Sequence, residues 1–344
     1  MVEQLRQAGL SLVELMVSLL LGMILILGVT ELYVSSKVTY SLTEQMSTLQ
    51  ENARIAFEML VPQVRMAGYT GCANVNTAIP NVVAKPPVVV IDSSNNAIKG
   101  HEAVSASSWS PTLTTNLVGN VLANTDVMTL QTSGSCDAWM TGNMTSDNAN
   151  IQINPANTCS LAAGDTLILS DCASVDIFKA TNVSASSGGG GGVKVTIAHA
   201  NSQNTSNRLS KAYGADAEIY KPISTSYYLK SNTHGVPALY RLDNVANNLQ
   251  ELVEGVENMQ VLYGMDTDVF FDGQVNQYKT ADAVGPPDQW SRVLTVRINL
   301  LMRSLEEVHA SPTNTTFAGI TYSDNYLRQE YTATVQLRNR SLEP

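Results

Sequence analysis

Charge is scarce in this chain. Only 15% of its 344 residues are Asp, Glu, Lys or Arg, while 44% are hydrophobic. Ser, Thr and Asn occupy the surface positions that charges would otherwise fill. That profile fits an extracytoplasmic β-rich protein better than a cytosolic enzyme. The net charge is −10, with the 30 acidic residues scattered rather than run together. An acidic surface repels phosphate backbones, which disfavours direct nucleic-acid binding. No CxxC pair occurs, and no His lies near a Cys at zinc spacing. HExxH and GxSxG are absent, and His101, His199, His234 and His309 stand isolated in sequence, so no nucleophile–base or metalloprotease pattern emerges. Glu306 and Glu307 are adjacent and point to different faces. No internal repeat is visible. No cofactor is expected.

What the chain does have begins near its start. Leu10 to Val29 is twenty residues long, enough to cross a bilayer core as a helix. After Glu14 no charge appears until Glu31. A secretory signal would place small residues and a cleavage site after the apolar run. Here Ala8 and Gly9 come before it, and no AxA-like site follows, so the apolar helix is expected to stay on the mature protein. Arg6 supplies one weak positive-inside cue. A carboxylate in mid-span costs ~2.5–3.5 kcal/mol on insertion scales and normally has a partner. Glu14 lies nearer the end of the span, which lowers that cost.

Helical patterning continues beyond the membrane length. Leu42, Met46, Leu49, Ala53, Phe57, Leu60, Val64 and Ala67 recur at three- and four-residue spacing, with Glu44, Glu51, Arg54, Glu58 and Arg65 on the other face. One helix from Leu10 to Ala67 is predicted, with Pro62 as a kink or last-turn marker and Gly68 as terminator. A coiled coil is the alternative use of such a stripe, but a single stripe leading into a cysteine-bearing domain favours packing on a sheet. Beyond Gly71 the pattern is β-rich. Strands are expected at 126–132, 165–170, 175–183, 193–198, 217–229, 238–242, 259–263, 293–301 and 330–338. Stretches 92–120 and 141–160 read as long loops. The run Gly188 to Gly192 lies between two strand candidates and lacks the following helix of a phosphate loop, so it reads as a hairpin tip.

Cys72, Cys136, Cys159 and Cys172 form an even set, and in an exported chain disulfides are the default. Three pairings are possible. Cys159 with Cys172, closing a short loop, and Cys72 with Cys136 are favoured. GMDTDVFFDG brings Asp266, Asp268 and Asp272 together, but Phe270 and Phe271 occupy positions that a calcium loop reserves for a ligand and a glycine. A polar strand-to-loop junction is the preferred reading, with an irregular calcium site as the alternative. Trp109, Trp139 and Trp290 are expected to be core or loop anchors.

The segment Gly9-Leu10-Ser11-Leu12-Val13-Glu14-Leu15 resembles the class III signal of type IV prepilins and type II secretion pseudopilins. The resemblance implies that a prepilin peptidase cuts after Gly9, that Leu10 becomes the N-methylated N-terminus, and that Glu14 is the assembly glutamate at mature position five. Leu10 departs from the phenylalanine usual in the family. RMAGYTGC (65–72), AGDTLILSDCASVDIF (163–178), LVEGVENMQVLYGMDTD (252–268), VLTVRINLLMRS (293–304) and YTATVQLRNR (331–340) resemble the PilW family of minor type IV pilins. Loops 73–125 and 270–290 match poorly. The resemblance implies an α+β, pilin-like fold: a leader at 1–9, a membrane and packing helix at 10–67, and a β-rich periplasmic head at 68–344. It further implies a subunit anchored in the inner membrane before assembly and carried in the fibre afterwards. That subunit would help prime assembly within a minor-pilin complex near the tip, and support adhesion and twitching motility indirectly. Its partners would be other minor pilins, the major pilin, the prepilin peptidase and a tip adhesin. A minor pseudopilin of type II secretion, or a membrane-tethered periplasmic binding domain or enzyme, are the alternatives.

Overall fold

A helix that is apolar all round at one end and striped at the other must meet two different surroundings. In the computed structural model, which describes residues 11–73, 78–86, 97–188, 192–285 and 289–340, that helix spans Leu12–Met66. Its 55 residues extend about 82 Å at 1.5 Å per residue. Ser11 caps it, accepting a hydrogen bond from the Glu14 N–H at 3.2 Å. The hydroxyls of Ser18, Thr30, Thr39, Thr43 and Thr48 donate to carbonyls four residues back, so these polar side chains need no external partner. Pro62 lies one turn before the end. Gly68, at φ +83°, turns the chain out in a conformation that L residues resist.

The buried stripe is shorter than the apolar pattern. Leu49, Ala53, Ala56, Leu60 and Val64 are buried, whereas Leu42 is exposed and Phe57 only half-buried. Ala56 takes the inward place, and the head does not cover the helix at Leu42.

The helix packs on a four-stranded antiparallel sheet ordered Gln277–Lys279, Val256–Met265, Val293–Glu307, Tyr326–Gln336. Asn52 donates to the Glu254 carbonyl at 3.2 Å, and Asn339 donates to the Met66 and Ala67 carbonyls at 3.3 Å each. Strands Val256–Met265 and Tyr326–Gln336 therefore run in the same direction as the helix, away from its membrane-length half. A second sheet holds nine strands. Its main path is Asn81–Val82, Val175–Lys179, Thr166–Ser170, Glu218–Ser231, Val127–Trp139, Ile98–Ser105 and Ser108–Ser110, with Pro237–Asp243 and Asn248–Glu254 branching from Glu218–Ser231. One core cluster draws Leu60 and Val64 of the helix together with Ile298 and Val335 of the smaller sheet and Met128 and Leu229 of the larger. A separate core, around Phe178, Ile197 and Ile219, includes the three-stranded sheet Ile151–Ile153, Gly192–Ala198, Asn182–Gly188.

The expected strand at 175–183 is two strands. Val175–Lys179 stays in the large sheet, while Asn182–Gly188 pairs with Gly192–Ala198 in another. The glycine run does join two antiparallel strands, with Gly188 opposite Gly192, although its middle lies outside the described residues. The supposed loops at 92–120 and 141–160 contain Ile98–Ser105, Ser108–Ser110 and Ile151–Ile153.

The favoured cysteine pairing is overturned: the bridges are Cys72–Cys172 and Cys136–Cys159. Short-loop closure loses to topology. Strand Thr166–Ser170 lies between Cys159 and Cys172 and carries the chain about 17 Å along the sheet. Meanwhile Thr158 donates from both its N–H and its hydroxyl to the Cys136 carbonyl, which sets Cys159 beside Cys136. Cys72–Cys172 ties the exit of the helix to the large sheet.

Candidate functional site

From Ser11 to Tyr40 every residue except Gly22 is exposed, and the most apolar 18-residue window has a mean hydropathy of 2.6 with none of it buried. Leu12, Leu19, Met23, Ile24, Leu25 and Ile26 each show more than half their surface. Such a surface needs lipid or other helices around it. Glu14 sits in the first turn, where the N-terminal end of the helix dipole favours an acidic group, and its carboxylate has no ion-pair partner among the described residues. Gly9 and Leu10 lie outside the described residues. The site is therefore one carboxylate, unpaired among the described residues, at the end of an uncovered apolar helix.

The head's candidate residues each make defined contacts within the fold. Asp266 is buried, and its oxygens accept the N–H groups of Asp268, Asp272 and Gly273 at 2.8–3.0 Å. Burial pushes that carboxyl up, but the three backbone donors and Arg292 outweigh it and hold the group below the usual carboxylate range. Arg292 also donates to the carbonyls of Asp266 and Asp268. The oxygens of Asp266, Asp268 and Asp272 come within 4.8 Å of one another. Asp266 accepts three N–H groups of the loop that follows it and so helps to shape that loop. The Nδ1 of His101 bonds the Pro111 carbonyl, and burial lowers its pKa; the Nε2 of His199 bonds the Ala149 carbonyl. Trp290 is core, edge-on to Tyr263 at 4.8 Å, and Trp109 anchors a loop by donating to the Thr125 carbonyl. Trp139 departs from expectation, being 49% exposed.

Sequence reasoning missed the polar hubs. Asp176 is fully buried and accepts hydrogen bonds from Asn81, from both the N–H and hydroxyl of Ser210, and from Tyr213. Glu257 lies between Arg303 and Arg328, and Arg328 also bonds Asp324. Asp126 joins the nine-stranded and the four-stranded sheets, its carboxylate accepting the N–H groups of Ala103 and Val261. Each hub gathers residues far apart in the chain, so no local spacing announces it.

Comparison with known proteins finds two family matches. Residues 226–339 match the type IV pilus-assembly protein W family, and residues 4–30 match the prokaryotic N-terminal methylation motif. No curated protein and no solved structure matches the chain. The first match runs from inside strand Glu218–Ser231 through the whole four-stranded sheet that seats the helix. The second covers the exposed apolar half of that helix. Neither reaches 31–225, which holds both disulfides. With the methylation motif on its uncovered helix and the pilus-assembly match on the sheet beneath, the two matches together support a PilW-family type IV pilin with a minor-pilin role.

Proposed function

We propose that this pilin helps start fibre assembly within a complex of minor pilins near the tip of the fibre. The prepilin peptidase cuts after Gly9, Leu10 is methylated, and the new α-amine is the charge that Glu14 meets. Within one chain Leu10 and Glu14 are four residues apart in sequence. The amine of an adjacent subunit, sliding alongside during assembly, is the better partner. Before assembly the helix anchors the chain in the inner membrane with the head in the periplasm, where the two disulfides form. Other minor pilins, the major pilin and a tip adhesin are the partners of the finished complex, and adhesion and twitching motility follow from the fibre.

The observation that carries this reading is the unpaired Glu14 on an apolar helix within the methylation motif. Support for a terminal position comes from the bulk of the head, running from Gly68 to Arg340, which crowds a lattice less at its end than within it. Glu14→Ala tests the assembly role. Incorporation of the chain into fibres is expected to fall at least about tenfold, the loss of roughly 1.4 kcal/mol of subunit attachment, while both disulfides form normally. Full piliation by the variant contradicts the role.

A further inference from the structure

The four-stranded sheet ends on Tyr326–Gln336. One edge of that strand is paired along Val293–Glu307, and no strand among the described residues covers the other. Most other open edges in the protein are short or defended. Asn81–Val82, Ser108–Ser110, Gln277–Lys279 and Ile151–Ile153 have two or three residues, Asn248–Glu254 carries Glu251 and Glu254 beside a register shift, and Asn182–Gly188 is largely Ser, Ala and Gly. Tyr326–Gln336 has eleven residues and pairs without a shift from Gln336 to Arg328. Its upper part, Tyr331 to Gln336 (YTATVQ), contains no charge, proline or glycine. Long uncharged edges recruit another strand, because their outward N–H and C=O groups want partners of the same kind. The group such an edge recognises is an extended backbone.

Two features narrow the partner. The edge strand lies beside the helix and runs with it, so a neighbour whose helix packs against this one brings its head to the same side. At the upper end, Arg65 from the last helical turn lines a cleft with Thr334, Gln336 and Arg338. Arg65 is exposed and makes no ion pair among the described residues of a protein whose net charge is −10. An incoming carboxylate would be favoured there.

We propose that the outer edge of Tyr326–Gln336 is completed in the fibre by a β-strand from the head of a neighbouring, different pilus subunit. That strand is uncharged where it pairs and carries a carboxylate at the end that meets Arg65. The inference rests on the pilin reading. Its test places a benzoyl-phenylalanine photo-crosslinker in the full chain, in piliated cells, at Thr332 or Thr334, with Gln250 as the control on another edge and Ile26 as the reporter of helix packing. Thr332 and Thr334 are expected to join a chain that itself bears a prepilin N-terminus, identified by mass spectrometry, and Gln250 is not. Arg65→Glu is expected to cut that adduct about tenfold, where Arg65→Lys keeps it. Both disulfides, checked on non-reducing gels, show each variant folded. Adducts from Ile26 without any from Thr332 or Thr334, or adducts only to a second copy of this chain, overturn the strand-addition proposal and leave the pilin reading standing. Absence of adducts from all of these positions in piliated cells overturns both.

Discussion

Glu102 and Asp126 face each other where strand Ile98–Ser105, the start of strand Val127–Trp139 and the short turn Ala281–Ala283 meet. Burial, and then the neighbouring Asp126 charge, push the Glu102 carboxyl up to about 8; burial raises Asp126 as well. Asp126 keeps two backbone donors, so Glu102 holds the proton of the pair. Asp282 adds a third acidic group to the cluster, and the Tyr263 ring is buried beside it. A group with a raised folded pKa binds more protons folded than unfolded at intermediate pH. Its contribution is thus present below the unfolded value and is lost as pH rises through the folded one. Thermal unfolding of the full chain in detergent is expected to show lower stability at pH 8.5 than at pH 5.5, and Glu102→Gln is expected to flatten that slope. An equal slope in the variant would remove the pair as its source. None of this was legible in the sequence, because Glu102 lies in a stretch that reads as loop. Gly100 hid the strand: a Cβ there would fall 2.1 Å from the Tyr263 hydroxyl, so the position is fixed by a long-range contact rather than by strand propensity.

Among the elements, the helix divides its labour by burial. Leu20 is 61% exposed and Leu60 is fully buried against both sheets. Leu60→Ala is expected to lower the unfolding free energy of the head by about 2–5 kcal/mol, the usual cost of truncating a buried leucine. Leu20→Ala should leave head unfolding unchanged, which chemical denaturation in detergent can measure for both. A similar loss from the two variants would mean that the membrane half also packs on the head. The existence of the helix was plain in the sequence because two kinds of apolar pattern join without a break. Where the head begins to cover it was not, since Leu42 and Leu49 differ only in what stands opposite them. Central strands such as Val293–Glu307 were legible from their alternation. The edge strand Tyr326–Gln336 was legible over most of its length, but the short edge strand Ser108–Ser110 and the hairpin Thr313–Phe317/Ile320–Asp324 escaped because polar pieces resemble loops until a partner strand is seen.

At the scale of the whole molecule, the methylation motif at 4–30 and the pilus-assembly match at 226–339 are joined by one continuous helix and the head it packs on. The methylation motif was legible because it is local, with a glycine, an apolar run and a glutamate inside residues 4–30. The cysteine partners were not, because Cys72 reaches Cys172 only after the chain has laid down several strands. The helix ties these parts together: its far end is held by Asn339 and, through Cys72–Cys172, by the large sheet. The proposed pairing of Glu14 requires an N-terminus made by cleavage. Mass spectrometry of the N-terminal peptide from protein recovered from native membranes tests this most directly: a mature chain beginning at methylated Leu10 is expected, and an intact Met1 terminus or a cut elsewhere would contradict it.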